Sequence, residues 1–297
     1  MPIVSVIIPT YKHRDLVLAT LASVFAQTLT DYEVIVVNDG SPDDTAAVLR
    51  PLAEAGRIRY IEQENQGQGA ARNRGLAEAQ GEFVALLDDD DLWPPDKLAW
   101  QVAALRAHPD AVMVYGFSQS FGEAEGKLWP DENGPGEDVL KAFLKENRIT
   151  SPGQTLIRAE ALQNIGGFDP KLWGVDDWDL YIRLAAHGSV LFENSLGLHY
   201  RLHSANASKN LWQMYQNVRL LLDKHKVKLQ QYEMYHSGRQ NGRNLFANEY
   251  VQLAQCERQA GEWTRARRML WTAARIRPGI VLKRRFVLPL EIGRAHV

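Results

Sequence analysis

A single cysteine, Cys256, leaves this 297-residue chain without an internal disulfide framework or a thiolate zinc cluster, so any metal must be held by oxygen or imidazole ligands. Long apolar runs are missing too: the longest nearly unbroken one, residues 3–8, is far short of the roughly 20 residues that cross a bilayer as a helix. The N-terminus has no basic flank leading into a signal-peptide core, and the expectation is a soluble cytoplasmic protein. Two glycine-rich phosphate cradles are absent. Where a dinucleotide-binding fold places Gly-x-Gly-x-x-Gly after its first strand, this chain has Pro9-Thr10-Tyr11-Lys12, and the later Gly67-Gln68-Gly69 runs on to Arg72 in the third glycine's place. No Walker loop with its Gly-Lys-Ser/Thr ending occurs. Basic residues are scarce over residues 1–208, 17 Lys and Arg against 30 Asp and Glu, a balance of −13 that argues against nucleic acid as a ligand. Residues 209–297 reverse it, 17 against 6, a balance of +11 that suits an acidic partner or an anionic membrane surface.

With 45% apolar residues the chain is not a disordered polymer, and its length fits one full-sized domain with an appendage, or two domains. Residues 3–8 and 33–37, rich in Val and Ile, read as buried strands, and between them Leu16, Val17, Thr20, Leu21, Val24 and Phe25 recur at helical spacing. Asp43 and Asp44 cap a second helix, followed by a strand at 57–61, a helix near 70–79 and a buried strand at 83–87. A helix after Pro94-Pro95, a strand at 111–115, a helix near 137–146, a strand near 154–158, a helix near 177–187 and strand-like pieces at 190–192 and 198–201 complete this part. The alternation predicts a mainly parallel sheet with helices on both faces. Residues 122–136, rich in Gly, Pro and acidic residues, read as a loop facing substrate. No strand pattern is needed beyond about residue 209, which places the boundary between an α/β domain, 1–208, and a basic helical region, 209–297.

Asp88-Asp89-Asp90-Asp91 directly follows the buried strand at 83–87, and in an open parallel sheet ligands bind beyond the carboxyl ends of the strands. Four adjacent carboxylates repel one another. A divalent cation relieves that repulsion, and one or two carboxylates plus a substrate diphosphate are the usual way of holding Mg²⁺ or Mn²⁺; the plain alternative is a solvated acidic turn. Asn38-Asp39-Gly40-Ser41 ends the second strand in turn-forming residues, unless Asp39 accepts hydrogen bonds from a base or ribose with Tyr11 offering a stacking face. Asp176-Asp177-Trp178-Asp179 opens a helix, where acidic residues complement the dipole. The functional alternative is a general base beside Trp173 and Trp178 that removes a proton from a hydroxyl nucleophile. His199 and His203 lie in a polar segment with Arg201, and a histidine near an Asp-bound metal is a candidate imidazole ligand.

Taken in order, Pro9-Thr10-Tyr11, Asn38-Asp39-Gly40-Ser41, Gln68-Gly69-Ala70-Ala71-Arg72-Asn73, the aspartate run, Gly167-Phe168-Asp169, Asp177-Trp178-Asp179-Leu180 with Arg183, and Tyr200-Arg201-Leu202-His203 form a set. That set resembles the inverting glycosyltransferases of family 2, which have the GT-A fold, and it covers about residues 3–208. The resemblance implies an α/β fold of the GT-A nucleotide-diphospho-sugar transferase type. It implies Pro9, Thr10, Tyr11 and Asp39 around the base and ribose, Arg72 near the nucleotide, and Asp89 at the ribose or phosphate. It further implies Asp90 on a divalent cation, Mn²⁺ or Mg²⁺, His203 reaching back to the metal or diphosphate, and Asp177 as catalytic base. Two positions depart from the family: Lys12 stands where Asn is frequent, and Asp176 where Glu is usual. The implied reaction is a single displacement that moves a sugar from a nucleotide-diphosphate donor, a UDP-sugar foremost, to a hydroxyl of a glycan, lipid-linked or other acceptor in cell-surface glycan or polysaccharide synthesis. Nucleotidyl transfer on a similar fold and a nucleotide-binding scaffold without turnover are the alternatives. The Asp177-Trp178-Asp179 segment favours sugar transfer, and intact Asp90 and Asp177 speak against degeneration.

In the basic region Tyr250, Leu253, Ala254, Gly261, Ala266, Leu270, Ala273 and Pro278 fall at the spacing of one tetratricopeptide repeat, over 247–279. Three or more repeats usually make a solenoid, so the expectation is a helical pair packed on the catalytic domain. Arg267, Arg268, Arg275, Arg277, Lys283, Arg284 and Arg285, interleaved with apolar residues, suggest peripheral contact with the inner membrane face, against the plain alternative of a solvated basic face. Residues 291–297 resemble translated adapter sequence and are set aside.

Overall fold

The Val- and Ile-rich run near the N-terminus becomes the centre of a sheet. In the computed structural model, which describes residues 1–122, 128–129, 138–203, 210–259 and 261–278, every residue of β1 (Val4–Thr10) is buried. A strand covered on both faces must be apolar along its whole length, as this one nearly is. The chain divides into two compact units, Met1–Lys209 and Asn210–Val297.

In the first unit β1 is followed by α1 (Arg14–Phe25), β2 (Tyr32–Asn38), α2 (Thr45–Glu54), β3 (Arg59–Glu62), α3 (Gln68–Glu78), β4 (Phe83–Leu86) and α4 (Lys97–Ala107). Then come β5 (Ala111–Gly122), β6 (Leu128–Trp129), α5 (Val139–Lys145), β7 (Thr155–Arg158), α6 (Ala159–Ile165), α7 (Asp176–Ala185) and β8 (Ser189–Leu202). Helix α1 buries Val17, Thr20, Leu21 and Val24, the stripe that a 3.6-residue period predicts. At the start of α2 it is Asp43 that holds the first turn, accepting from the Thr45 backbone N–H (3.2 Å) and hydroxyl (2.6 Å). Asp44 occupies the cap position without a side-chain hydrogen bond.

The strands form one mixed sheet in the order β3-β2-β1-β4-β7-β5-β6, with β8 also paired to β5. Pairs β1·β2, β1·β4, β2·β3 and β5·β8 are parallel, whereas β7 lies antiparallel to both β4 and β5. The strand order reverses at β1, so the crevice beyond the carboxyl ends of β1, β2 and β4 is where an α/β sheet of this kind receives ligands. Two differences from the sequence reading stand out. The pieces expected at 190–192 and 198–201 are one strand, β8, whose polar middle is accommodated by irregularities of register against β5. Strand β5 likewise runs on to Gly122, and β6 lies within the expected loop at 122–136; the rest of that loop, 123–127 and 130–137, lies outside the described residues.

Lys97 is fully buried, its Nζ donating to the Thr155 carbonyl at 3.0 Å and lying 3.9 Å from the Trp93 ring centre. Burial pushes this ammonium well below its usual range, and its hydrogen bond to Thr155 ties α4 to β7.

The second unit contains α8 (Leu211–Lys224), α9 (Lys226–Gln231), α10 (Tyr235–Gln259) and α11 (Trp263–Ile276). Asn210 caps α8 through the Gln213 N–H, and Tyr215, Leu221, Leu222, Phe246, Val251, Ala254, Ala266 and Ala273 are among the residues it buries. Among the described residues no helix is long and apolar enough to cross a membrane. The proposed boundary segment 204–209 and the segments 283–285 and 291–297 lie outside the described residues.

Candidate active site

The exit loops of β1, β2 and β4 meet at one sheet edge. After β1, Thr10 is buried with its hydroxyl oxygen unpartnered among the described residues, while Tyr11 is partly exposed. Lys12 follows with φ of 63°, a left-handed conformation that Asn adopts more readily than Lys. Its N–H donates to the Ser41 hydroxyl at 3.1 Å, joining the first and second exit loops.

Asp39, at the end of β2, is buried, and its carboxylate gathers the segment leading into α3. One oxygen accepts from the Gln63 amide (2.8 Å) and the Gln66 N–H (2.9 Å), the other from the Gly67 N–H (2.8 Å). The turn at Gly40 (φ 70°) passes so near this segment that a Cβ there would lie 2.9 Å from the Asn65 nitrogen. Asp39 therefore shapes the pocket wall whether or not it also meets a ligand.

The aspartate run after β4 divides into four environments. Asp88 accepts from Arg72 (2.7 Å) and Gln68 (2.9 Å) through Oδ1 and from the Ser151 hydroxyl (3.4 Å) through Oδ2. Asp89 faces the first exit loop, taking the Tyr11 N–H at 3.3 Å and pairing with His13 Nδ1 at 2.8 Å. Asp90 pairs with His203 Nε2 at 2.8 Å. Asp91 is fully buried, accepting the Arg201 N–H at 2.9 Å, and its second oxygen lies within hydrogen-bond geometry of no other described residue. Burial first, and then Asp90 and Asp88, push the Asp91 carboxyl well above the usual range. Asp90 is raised for similar reasons, burial and then Asp88 and Asp89, while His203 works against the shift. The His13 imidazole is raised chiefly by its hydrogen bond to Asp89.

Ligand atoms of His13, Asp89 and Asp90 all lie within 4.8 Å of one another, and the His13 and His203 rings are 5.9 Å apart, edge to face. The carboxylate oxygens suit Mn²⁺ or Mg²⁺, and imidazole nitrogens beside them favour the transition metal, Mn²⁺, over Mg²⁺. His13 was not legible from the sequence, because a lone histidine in a loop carries no spacing signal and its partner is 76 residues away.

The second acidic group lies at the start of α7. Arg72, 2% exposed, bridges the two groups: Nη1 to Asp176 at 2.9 Å and Nη2 to Asp88 at 2.7 Å. Burial opposes its charge, but Asp88 and Asp176 outweigh that and hold the guanidinium above its ordinary value. The sequence placed Arg72 near a nucleotide; its described contacts are with these two carboxylates and, 5.2 Å away, the Phe168 ring. Next to Asp176, Asp177 is partly buried, and its carboxyl is pushed up to about 7 by desolvation and by the Asp176 charge, with Arg72 pulling the other way. Trp178 anchors this helix start by donating from Nε1 to the Phe143 carbonyl at 2.6 Å. Asp88 was legible only as part of an acidic run, and Asp176 only as a departure from the usual Glu; their joint pairing with Arg72 was not read from the sequence.

The family model for glycosyl transferase family 2 matches residues 5–166, more than half of the chain, and the protein belongs to that family. An uncharacterized glycosyltransferase of Rickettsia felis is 31% identical over 215 residues, which are 71% of this chain and 36% of that one. The chondroitin synthase of Escherichia coli is 28% identical over 209 residues, 70% of this chain and 30% of that one. The chain thus spans about a third of the length of both relatives. Among solved structures, S. aureus TarS 1–349 in complex with UDP-GlcNAc has the same fold, with a TM-score of 0.61 at 16% identity over 93% of this chain and 92% of that one. The mannosyltransferase PcManGT of Pyrobaculum calidifontis, in complex with GDP-Man and Mn²⁺, gives 0.60 at 21% identity over 92% and 75%. The chain accordingly has the GT-A-like α/β fold of glycosyl transferase family 2.

Proposed function

We propose that this family 2 member is a glycosyltransferase that inverts the anomeric carbon of a nucleotide-diphosphate sugar, a UDP-sugar foremost, in a single displacement by an acceptor hydroxyl, with Asp177 as the base. The observation that carries this reading is the Arg72 bridge, which fixes the aspartate loop after β4 and the acidic start of α7 to one another through a single buried cation. One acidic group is thereby available for a metal diphosphate and the other for the acceptor. Asp177, held near neutrality, takes the proton of the attacking hydroxyl; a base with a pKa near the working pH combines availability with basicity. Asp90 and His203, with Asp89 and His13 beside them, would hold a divalent cation. When bound, that cation supplies positive charge against the departing diphosphate. Pro9, Thr10, Tyr11 and Asp39 line the nucleotide side, Tyr11 by virtue of its exposed ring. No covalent sugar intermediate is required, since one base and one face suffice. The likeness to a chondroitin synthase supports a glycan acceptor in cell-surface polysaccharide synthesis, the two liganded neighbours support a nucleotide-sugar donor, and the Mn²⁺ complex of one of them supports a divalent cation.

Calorimetry with UDP tests the donor half directly. Wild-type affinity is expected to rise on adding Mn²⁺ and to fall back with a chelator, and Asp90→Ala is expected to lose the Mn²⁺-dependent gain while melting like the parent. An unchanged gain in the variant removes Asp90 from the metal.

A second reading concerns the basic unit, where the α10–α11 pair is taken as one helical unit with tetratricopeptide-like spacing. On α11, Trp263 and Trp271 are 54% and 63% exposed among Arg265, Arg267, Arg268 and Arg275, with Arg275 4.7 Å from the Trp271 ring centre. Tryptophan with arginine on one exposed helix is suited to a lipid interface, and each basic residue near an anionic leaflet contributes about 1 kcal/mol. Sedimentation with phosphatidylserine vesicles is expected to carry the protein down at low salt and to lose it in Trp263→Ala/Trp271→Ala. Absence from the pellet at low salt defeats the membrane reading.

A further inference from the structure

A cavity of about 400 Å³ lies beside the candidate active site, lined by Ser118, Ser120, Asn147, Ile149, Thr150, Tyr200 and Leu202. Its walls follow from pairing. Ser120 stands opposite Tyr200 in the β5·β8 register, and alternation along each strand brings Ser118 and Leu202 to the same face. The segment before the 3-10 turn at Pro152–Gln154 closes the other side, with the Ser118 hydroxyl donating to Thr150 Oγ1 at 3.0 Å and Gln154 Oε1 accepting the Thr150 N–H at 2.7 Å.

Three features place this cavity against the reacting groups and define its chemistry. Thr150 precedes Ser151, whose hydroxyl reaches Asp88, and Tyr200 precedes Arg201, whose N–H holds Asp91. After burial, the charges of Asp91, Asp90, Asp88 and Asp177 all raise the Tyr200 phenol, so this ring lies within the field of both acidic groups. None of the seven lining side chains is charged; of the two cations next to them in sequence, Arg148 is paired with Glu146 at 2.9 Å and Arg201 donates from Nε to the Asp90 carbonyl at 2.7 Å. The Tyr200 hydroxyl and the Asn147 amide nitrogen make no hydrogen bond to another described residue.

A cavity of this size with hydroxyl and amide groups, an aromatic ring and two aliphatic side chains matches a pyranose, which presents hydroxyls at its rim and C–H groups on its faces. A phosphate or uronate would enter the negative field of the neighbouring aspartates, and none of the lining side chains carries a positive charge to offset it. We infer that this cavity is the acceptor subsite and takes a neutral sugar ring, an assignment that rests on the glycosyltransfer reading above.

Ligand-observed saturation-transfer NMR on the full chain tests it, with methyl β-glucoside, methyl β-N-acetylglucosaminide and methyl β-glucuronide as probes. At least one neutral glycoside is expected to receive saturation and the glucuronide to receive little. Leu202→Trp, which fills the cavity, is expected to abolish the neutral signal, and Asn147→Ala to weaken binding about tenfold, the upper range for one lost hydrogen bond. Unchanged melting temperatures identify folded variants. The inference is overturned if no neutral glycoside binds, if the glucuronide binds as well, or if both variants bind as the parent does. Displacement of the glycoside by UDP-GlcNAc but not by UDP would assign the cavity to the donor's sugar and also overturn it. UDP affinity with and without Mn²⁺, measured on the same samples, reports on the glycosyltransfer reading separately: lost nucleotide binding with glycoside binding retained sinks that reading and leaves the sugar cavity standing.

Discussion

Asp177→Asn is expected to lower turnover by about 10²-fold to 10⁴-fold, the range for a lost general base, with UDP affinity close to the parent's. Asn keeps the shape of the side chain and its acceptor oxygen for the Trp178 N–H, 2.7 Å away in the parent, but cannot take a proton. The pH profile supplies the second half of this result. Asp177 is useful only when ionised, and desolvation together with the neighbouring Asp176 charge lifts its pKa to about 7, so kcat/KM should fall as pH drops through that value. Asp176→Asn removes the repelling charge and should move that limb to lower pH. Full turnover in Asp177→Asn, or a limb unmoved by Asp176→Asn, shifts the base to another residue.

Much of this site could be read along the chain because its carriers sit where strands and helices end. Strand β4 is four buried residues followed after Leu87 by the aspartates, and a run that apolar ending in that much charge has one plausible place, the carboxyl edge of a sheet. The start of α7 was legible for the same reason, since an acidic first turn before Leu180 and Ile182 marks a helix entering the core. What escaped depends on distant pairing. Arg72 and Asp176 are 104 residues apart and His13 and Asp89 are 76 apart, and nothing local distinguishes these side chains from solvated ones. Strand β8 was broken in two because Glu193, Asn194, Ser195 and Gly197 interrupt its apolar pattern, while its continuity comes from the long parallel ladder with β5. Local propensity was overridden there by a neighbouring strand.

Arg72→Met is expected to cost about 3 to 5 kcal/mol of stability, the range for breaking a buried ion pair from one side. The substitution keeps most of the apolar stem but leaves Asp176, 3% exposed, without its counter-charge, and Asp88 without its shortest hydrogen bond. Arg72→Lys should recover part of the loss, because an ammonium can meet one carboxylate but lacks the planar fork that reaches two. The pH dependence has a definite sign. Burial already raises the Asp176 carboxyl and Arg72 restrains that rise, so removing Arg72 raises the folded-state pKa further above the unfolded value. A carboxyl raised in this way binds its proton more tightly folded than unfolded. Its contribution is therefore retained at pH below the unfolded value of about 3.9 and lost progressively as pH rises above it. The deficit of the Met variant relative to the parent should accordingly be larger at pH 8 than at pH 5, measured by denaturant melts in the presence of a chelator. Equal stability of parent and variant at pH 8, or a deficit that grows toward pH 5, would show that Arg72 is not the cation joining the two acidic groups.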